Sequence, residues 1–574
     1  MRTRNKWILG LLGMFALLIL GLGLAVVALT SAPRVPDNSI LVLDLSGQIP
    51  EEESLSVLER LLTGERKTVL DVVCMLRRAQ EDSRVRAVWV RIGPLEEGWG
   101  KVQEMRDALV AYGRTGKPLV ASLEFAGTLE YYLATGASRI TMVPNGLLLL
   151  NGVAAQLPFV KGALDKLRIR ADLEHIGEYK SASDMFTRDR ASEAQLEATN
   201  GLLDSLYAQL VGGIAAGRKL SEGKTRQIVD RGILSAREGR QAGLVDELAY
   251  SDQVREELKR RIPGKVRDLD ERSYLQVVRQ SQSRGGRIAL IYATGTLVSG
   301  RSSASEYGGR FAGSETVAEA IADARRDSGI KAIVLRVDSP GGSGIASDVI
   351  WRETQLARKK KPFIVSMSDL GASGGYWISM GADAIVAEPA TVTGSIGVFA
   401  GKFDLGRFYN WIGVNWEILQ RGRNADLLTD IHGFTEEQRS LLRGNLMEFY
   451  RAFIRQVASG RKMTEEEVNQ VAQGRIWTGQ QAKDRGLVDR LGGLDAALEL
   501  ARVKAGIPKS QALSIEIFPH RKGLLESLRE GELGTTSAHS LPAPIRALAA
   551  RAEISERLGR EAVLLILPEM PIVH

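Results

Sequence analysis

The sequence predicts an α/β protein: one domain written twice in tandem, each copy a parallel sheet with packed helices, behind a single N-terminal transmembrane helix. Three observations lead there. The chain matches itself at a nearly constant offset. Each copy alternates β-rich apolar runs with helical stretches of about 10–15 residues, the pattern of a parallel sheet covered by helices. Trp7–Ala32 is an apolar run without a single charge.

That run has 26 residues, enough to cross roughly 30 Å of hydrocarbon with some tilt. The preceding "MRTRNK" is basic and free of acids, so it is expected to stay in the cytoplasm and leave the rest of the chain outside. A cleaved signal peptide ending at "TSA" is the competing reading. Its apolar region would usually be about 7–15 residues, and Pro33 follows the candidate cut directly. A retained anchor over 1–36 is therefore expected.

The repeat is plain once the halves are aligned. "SRVRAVWVRI" (83–92) matches "SGIKAIVLRV" (328–337), and the same offset pairs Tyr131 with Tyr376, Gly136 with Gly381 and Ile140 with Ile385. Two residues out of that register, "GLVDEL" (243–248) matches "GLVDRL" (486–491), and "AGRKLSE" (216–222) matches "SGRKMTE" (459–465). "SEAQ" (192–195) and "TEEQ" (435–438) both read as capping boxes at helix starts. The expected copies are 38–280 and 286–518. Each opens on a strand ("SILVLDLSG", "RIALIYATG"), and further strands follow at "VRAVWVRI" and "IKAIVLRV", then "PLVASLEF" and "PFIVSMSD". Residues 519–574 have no counterpart. They read as a proline-rich linker, an amphipathic helix and a short apolar strand, with no role assigned.

Composition narrows the function. At 574 residues the chain is too long for one core. Its net charge of +7 comes from interleaved acids and bases, so a nucleic-acid partner is not expected. Cys74 is the only cysteine, which excludes an intrachain disulfide and a thiolate metal site. No Walker A motif and no HExxH occurs, so neither a nucleotide, a metal nor another cofactor is expected.

The copies differ where chemistry is wanted. The second carries "DSPGGSG" (338–344) where the first has "GPLEEG" (93–98). It carries "GASGGYW" (371–377) where the first has "AGTLEYY" (126–132), so Thr128 faces Ser373. Glycine-rich turns after strands let backbone N–H groups reach a ligand with no Cβ in the way. Gly341 or Gly342, together with Gly374, could form an oxyanion hole beside Ser373 as nucleophile. A serine needs a base. The five histidines lie in a strand (His175), a loop (His432) and the last part of the chain (His520, His539, His574). The first copy instead has Lys180, in "IGEYKSASDMF", where the second has Ala425. A lysine buried in apolar surroundings loses its proton more easily and can act as general base. An acyl-CoA enzyme on the same scaffold and a non-catalytic membrane scaffold are the alternatives. No catalytic carboxylate stands near the glycine turns to favour the first.

"RVDSPGGSGIAS", "GASGGYWIS", "TVTGSIGVF", "YKSASDMFTR" and the repeated "GLVD" together resemble the signal peptide peptidase A family, in its long tandem form, of the ClpP/crotonase superfamily. The resemblance covers nearly all of 1–518. It implies a membrane-anchored serine protease with a Ser–Lys dyad split across the halves, Ser373 as nucleophile and Lys180 as base. It also implies that Ser395, in "TGSIG", hydrogen-bonds the lysine amine; the first copy has Leu150 there. Further implications are a homotetrameric dome facing the membrane, an apolar-lined site, and signal peptides left in the membrane as substrates, with misfolded exported chains a further class. The place implied is the bacterial inner membrane, with the catalytic domains on its outer side.

Overall fold

The computed structural model describes residues 35–53, 66–281, 285–304 and 309–520, together with 553, 564–566 and 572–573. The expected membrane helix lies outside the described residues, as does the tail's expected amphipathic helix except for Glu553. Among the described residues no helix is long and apolar enough to cross a membrane.

Two large sheets form the frame. The first runs in the order Ile233–Ser235, Arg139–Leu149, Leu119–Ala126, Val85–Leu95, Ser39–Gly47, Arg267–Asp270, with Glu247–Leu248 beside Arg139–Leu149. The second runs Ile476–Thr478, Val392–Gly394, Phe363–Ala372, Ile330–Ser339, Gly286–Thr294, Leu513–Phe518, with Ala384–Ala387 beside Phe363–Ala372. Their central neighbours are parallel. Such strands are covered on both faces, which explains apolar stretches such as Ala87–Val90 and Ala332–Leu335. Val88 and Val90 enter one core while Ala87 and Trp89 enter another. Ile333 and Leu335 part from Ala332 and Val334 in the same way.

The repeated residues are those that lock helices to sheet. Two helices of 26 residues, Glu193–Arg218 and Glu436–Arg461, each close on a left-handed lysine, Lys219 and Lys462. Their last arginines, Arg218 and Arg461, grip the "GLVD" aspartates Asp246 and Asp489 with two bonds each. Those aspartates also accept the N–H of Ile140 and Ile385, both at 2.7 Å. The Tyr131 hydroxyl donates to Leu244 O and the Tyr376 hydroxyl to Leu487 O. One expectation needs correction. The capping box is complete at Thr435 but half-formed at Ser192, which accepts the Gln195 N–H. Gln195 Oε1 takes no partner among the described residues, and the Ser192 hydroxyl donates to Asp184 instead.

A third sheet joins the halves. Its order is Ser303–Ala304, Arg310–Gly313, Thr296–Val298, Gly341–Ser343, Leu564–Ile566, Val398–Asp404, Arg170–Ile176. The last two strands come from different copies and pair antiparallel from Val398↔Ile176 to Asp404↔Arg170. A buried ion cluster adds to this seam. Arg336, on a central strand of the second sheet, donates to Glu51 at 2.8 and 2.9 Å and to Glu104 at 2.7 Å. All three are almost without exposed surface. Burial works against the Arg336 charge, but Glu104 and Glu51 hold its pKa well above the ordinary value.

Candidate active site

The antiparallel seam decides what the site contains. The first copy's strand Arg170–Ile176 runs along the second copy's sheet and ends at Gly177, whose φ of +113° turns the chain. Lys180 N–H then donates to Gly177 O at 3.1 Å, and Tyr179 N–H donates to Gln473 O at 2.7 Å. Gly474 passes so close that a Cβ there would stand 2.6 Å from Lys180 Cβ. The lysine is thus carried across and seated by a loop of the other half.

Its amine arrives among hydroxyls. Lys180 Nζ lies 2.8 Å from Ser373 Oγ, 3.0 Å from Ser395 Oγ and 3.2 Å from Ser395 O. All three residues are fully buried. Burial drives the Lys180 pKa well below its ordinary value, since the ammonium form loses its hydration there. A neutral amine at hydrogen-bond distance can accept the serine proton.

Ser373 follows the strand Phe363–Ala372 with φ +54° and ψ −111°, a backbone conformation that costs a side-chain-bearing residue about 1–3 kcal/mol. Its N–H donates to Gly394 O at 2.8 Å and its carbonyl accepts Trp377 N–H at 2.9 Å. Ser395 also has positive φ, and its N–H donates to Arg475 O at 2.8 Å. The three residues thus depend on one another's backbone surroundings.

The glycine turns lie alongside. Gly341 and Gly342 have φ of +96° and +155°, and their strand, Gly341–Ser343, pairs with Thr296–Val298. The Gly341 N–H donates to Ser339 Oγ at 3.1 Å, and that hydroxyl donates to Gly295 O. Gly374 opens the short helix Gly374–Ser379, so its N–H has no carbonyl within that helix to donate to. Thr128, the counterpart of Ser373, donates to Asn151 Oδ1 at 3.2 Å. His175 lies 3.2 Å from Ser183 Oγ, and His432 pairs with Asp426. Among the described residues no group of His, Cys, Asp and Glu could hold a metal.

The residues that sequence reasoning passed over are Ser339 and the lysine's seat, Gln473–Arg475. A signal for the seat existed. In the register that aligns the "GLVD" motifs, Gly474 faces Arg231 and Arg475 faces Gly232.

The sequence profile of peptidase family S49 matches residues 111–262 and 355–508, one stretch in each copy and together more than half the chain. The chain is 35% identical over 492 residues to a chloroplastic serine protease, SPPA, of Arabidopsis thaliana, covering 84% of this chain and 71% of that protein. It is 33% identical over 535 residues to Protease 4 of Salmonella typhi, covering 88% and 84%. It is 27% identical over 496 residues to Protease 4 of Haemophilus influenzae, covering 80% and 78%.

Proposed function

The chain belongs to peptidase family S49 and is a serine protease; from that premise we propose that it cleaves peptide bonds with a Ser–Lys dyad, Ser373 and Lys180, each supplied by a different copy. The observation that carries this reading is the 2.8 Å separation of a fully buried Lys180 amine from Ser373 Oγ. Lys180, neutral, takes the Ser373 proton as Oγ attacks the carbonyl carbon of the scissile bond. The oxyanion that forms is met by the N–H of Gly374 and of the Gly341–Gly342 turn. As the intermediate collapses, the lysine returns its proton to the departing amine and an acyl-enzyme remains. Water, deprotonated by Lys180, then attacks the ester and frees Ser373. Ser395 holds the amine's direction through its hydroxyl and carbonyl oxygens.

Ser373→Ala is the direct test. Hydrolysis of a fluorogenic apolar peptide should fall by at least about 10⁴-fold, with an unchanged circular dichroism spectrum. A fluorophosphonate probe should label the wild type and not the variant. Activity surviving in Ser373→Ala, or no labelling of the wild type, overturns the assignment; a non-catalytic scaffold predicts the latter.

Gly342→Ala tests the turn. A Cβ at Gly342 would lie 2.0 Å from the Leu297 carbonyl oxygen, so the turn must move. The expected result is a loss of about a hundred-fold in kcat/KM, the size seen when an oxyanion donor is displaced. Unchanged kinetics would exclude this turn from the reaction.

The proposal extends to setting. The apolar run Trp7–Ala32 anchors the chain in the bacterial inner membrane with both copies on the outer side. Four copies assemble, and the substrates are cleaved signal peptides and misfolded exported chains. The sequence resemblance and the run itself support this part. The fold's ClpP/crotonase affiliation has the same support.

A further inference from the structure

The helix Trp99–Gly113 of the first copy begins without a cap of its own, because Gly98 at its N-cap has no side chain to offer. The second copy supplies the missing group. Asp369, on the strand that leads to Ser373, accepts the Gly98 N–H at 3.2 Å and the Lys101 N–H at 2.9 Å. A carboxylate suits the positive end of a helix. The approach leaves no slack. A Cβ at Gly98 would stand 2.4 Å from Asp369 Cγ, and one at Gly100 would stand 2.8 Å from Ser368 O.

Lys101 returns the contact. Its ammonium lies 3.3 Å from Asp338, 3.6 Å from Asp369 and 3.1 Å from Glu97 of its own copy. Asp338 also accepts the Leu370 N–H at 3.1 Å, which ties the two strand ends to each other. Gly341 comes three residues after Asp338, and Ser373 comes four after Asp369. One cation from the first copy therefore holds the roots of both turns that make the site. Burial works against its charge, but Asp338, Asp369, Glu51 and Glu97 hold its pKa well above the ordinary value. Burial pushes Glu97 up to about 7 and raises Asp338 as well, although Lys101 faces both and Arg336 also faces Asp338.

The copies differ here as they do at the dyad. In the register that sets Ser373 against Thr128, Lys101 faces Ala346, Asp338 faces Gly93, and Asp369 faces an exposed Glu124. The second copy's own helix is capped from within, by Ser343, which accepts the Ala346 N–H at 3.1 Å. The charged set stands beside Ser373 and is not repeated beside Thr128.

We propose that Lys101 is a positioning residue for the hydrolysis: through Asp338 and Asp369 it holds the glycine turn and the Ser373 strand in one arrangement across the seam, although it touches no reacting atom. This rests on the protease reading of the preceding section. Without Lys101, the carboxylates of Glu97, Asp338 and Asp369 face one another with Glu51 behind them. Like charges so close repel, the strand ends part, and the oxyanion donors move relative to Ser373 Oγ. The repulsion subsides as the acids take up protons, so the damage grows as pH rises.

Hydrolysis of a fluorogenic apolar peptide is measured between pH 6 and pH 9 for wild type, Lys101→Met, Lys101→Arg and Lys101→Met with Asp338→Asn. Lys101→Met should lower kcat at pH 9 by at least about tenfold with KM within about twofold, the signature of misplaced catalytic groups. The ratio of wild type to variant should shrink toward pH 6. Lys101→Arg keeps the charge and should restore most of kcat. Asp338→Asn in the Lys101→Met background removes one facing charge and keeps an oxygen for Leu370 N–H, so it should recover part of the loss at pH 9. Unchanged kcat in Lys101→Met, a deficit equal at every pH, or no recovery from Asp338→Asn overturns the assignment. Asp338→Asn alone keeps the test intact if Lys101→Met does not fold. It loosens the root of the glycine turn and should lower kcat at unchanged KM; wild-type kcat in it overturns the assignment. Wild-type hydrolysis and its loss in Ser373→Ala report separately on the protease reading. Tm reads the charged set without catalysis: in Ser373→Ala protein, Lys101→Met should lower Tm by more at pH 9 than at pH 6, and a deficit that does not grow with pH overturns the assignment whatever becomes of that reading.

Discussion

Lys180→Ala is expected to lower kcat/KM by about 10²–10⁴-fold, the usual contribution of a general base, while the fold is kept. The wild-type pH profile is the sharper measurement. Burial lowers the Lys180 pKa well below its ordinary value. Below that lowered pKa the amine is charged and cannot take the Ser373 proton. Activity should therefore rise with pH along a limb placed well under pH 10, and the limb should vanish in Lys180→Ala. A limb unchanged in that variant would assign the base to another group. Stability gives an independent reading. The unfolded chain keeps its lysine protonated up to about pH 10.4, whereas the folded chain does not, so folding releases a proton. The folded state thus gains stability as pH rises from the lowered pKa toward the ordinary one. Lys180→Met removes this burden and should raise Tm, by more at pH 6 than at pH 9.

Glu51→Ala is the second large effect, and it falls on stability. Glu51 comes from the first copy and faces Arg336 of the second with two hydrogen bonds. The Ser368 hydroxyl also donates to it. Removing it leaves Arg336 buried with Glu104 as its one remaining carboxylate, beside the Ser366 hydroxyl, and breaking a buried pair on one side costs about 3–5 kcal/mol. The urea midpoint should fall accordingly. Because the cluster lies on the seam between the copies, peptide hydrolysis should be lost at lower urea than in the wild type. Replacing the set together, Arg336→Met with Glu51→Leu and Glu104→Met, should recover most of the stability, since an apolar cluster of similar volume carries no unpaired charge. A midpoint in Glu51→Ala equal to wild type would mean that water or a rearranged partner satisfies Arg336.

Much of the frame was legible because its signals are local. Apolar runs such as Ala87–Val90 and Ala332–Leu335 declare strands covered on both faces. The repeated "GLVD" announced a duplication before its purpose was visible: each aspartate ties a long helix's last arginine to a strand N–H. The half-formed cap at Ser192 shows the limit of local reading. The sequence there allows a reciprocal box, but Asp184, eight residues upstream, takes the serine hydroxyl.

The candidate dyad divides the same way. The two residue types and the asymmetry between the copies stand in the sequence: Ser373 against Thr128, and Lys180 against Ala425. Their meeting does not, because 193 positions separate them. It depends on Arg170–Ile176 crossing to pair with Val398–Asp404, and on Gly474 leaving room for Lys180. The tail is the clearest case. By itself "LLI" is a short apolar strand that needs two edges, and nothing in its composition names them. Only the tertiary structure places it between Gly341–Ser343 and Val398–Asp404, because strand partners are chosen by which edges the rest of the fold leaves unpaired.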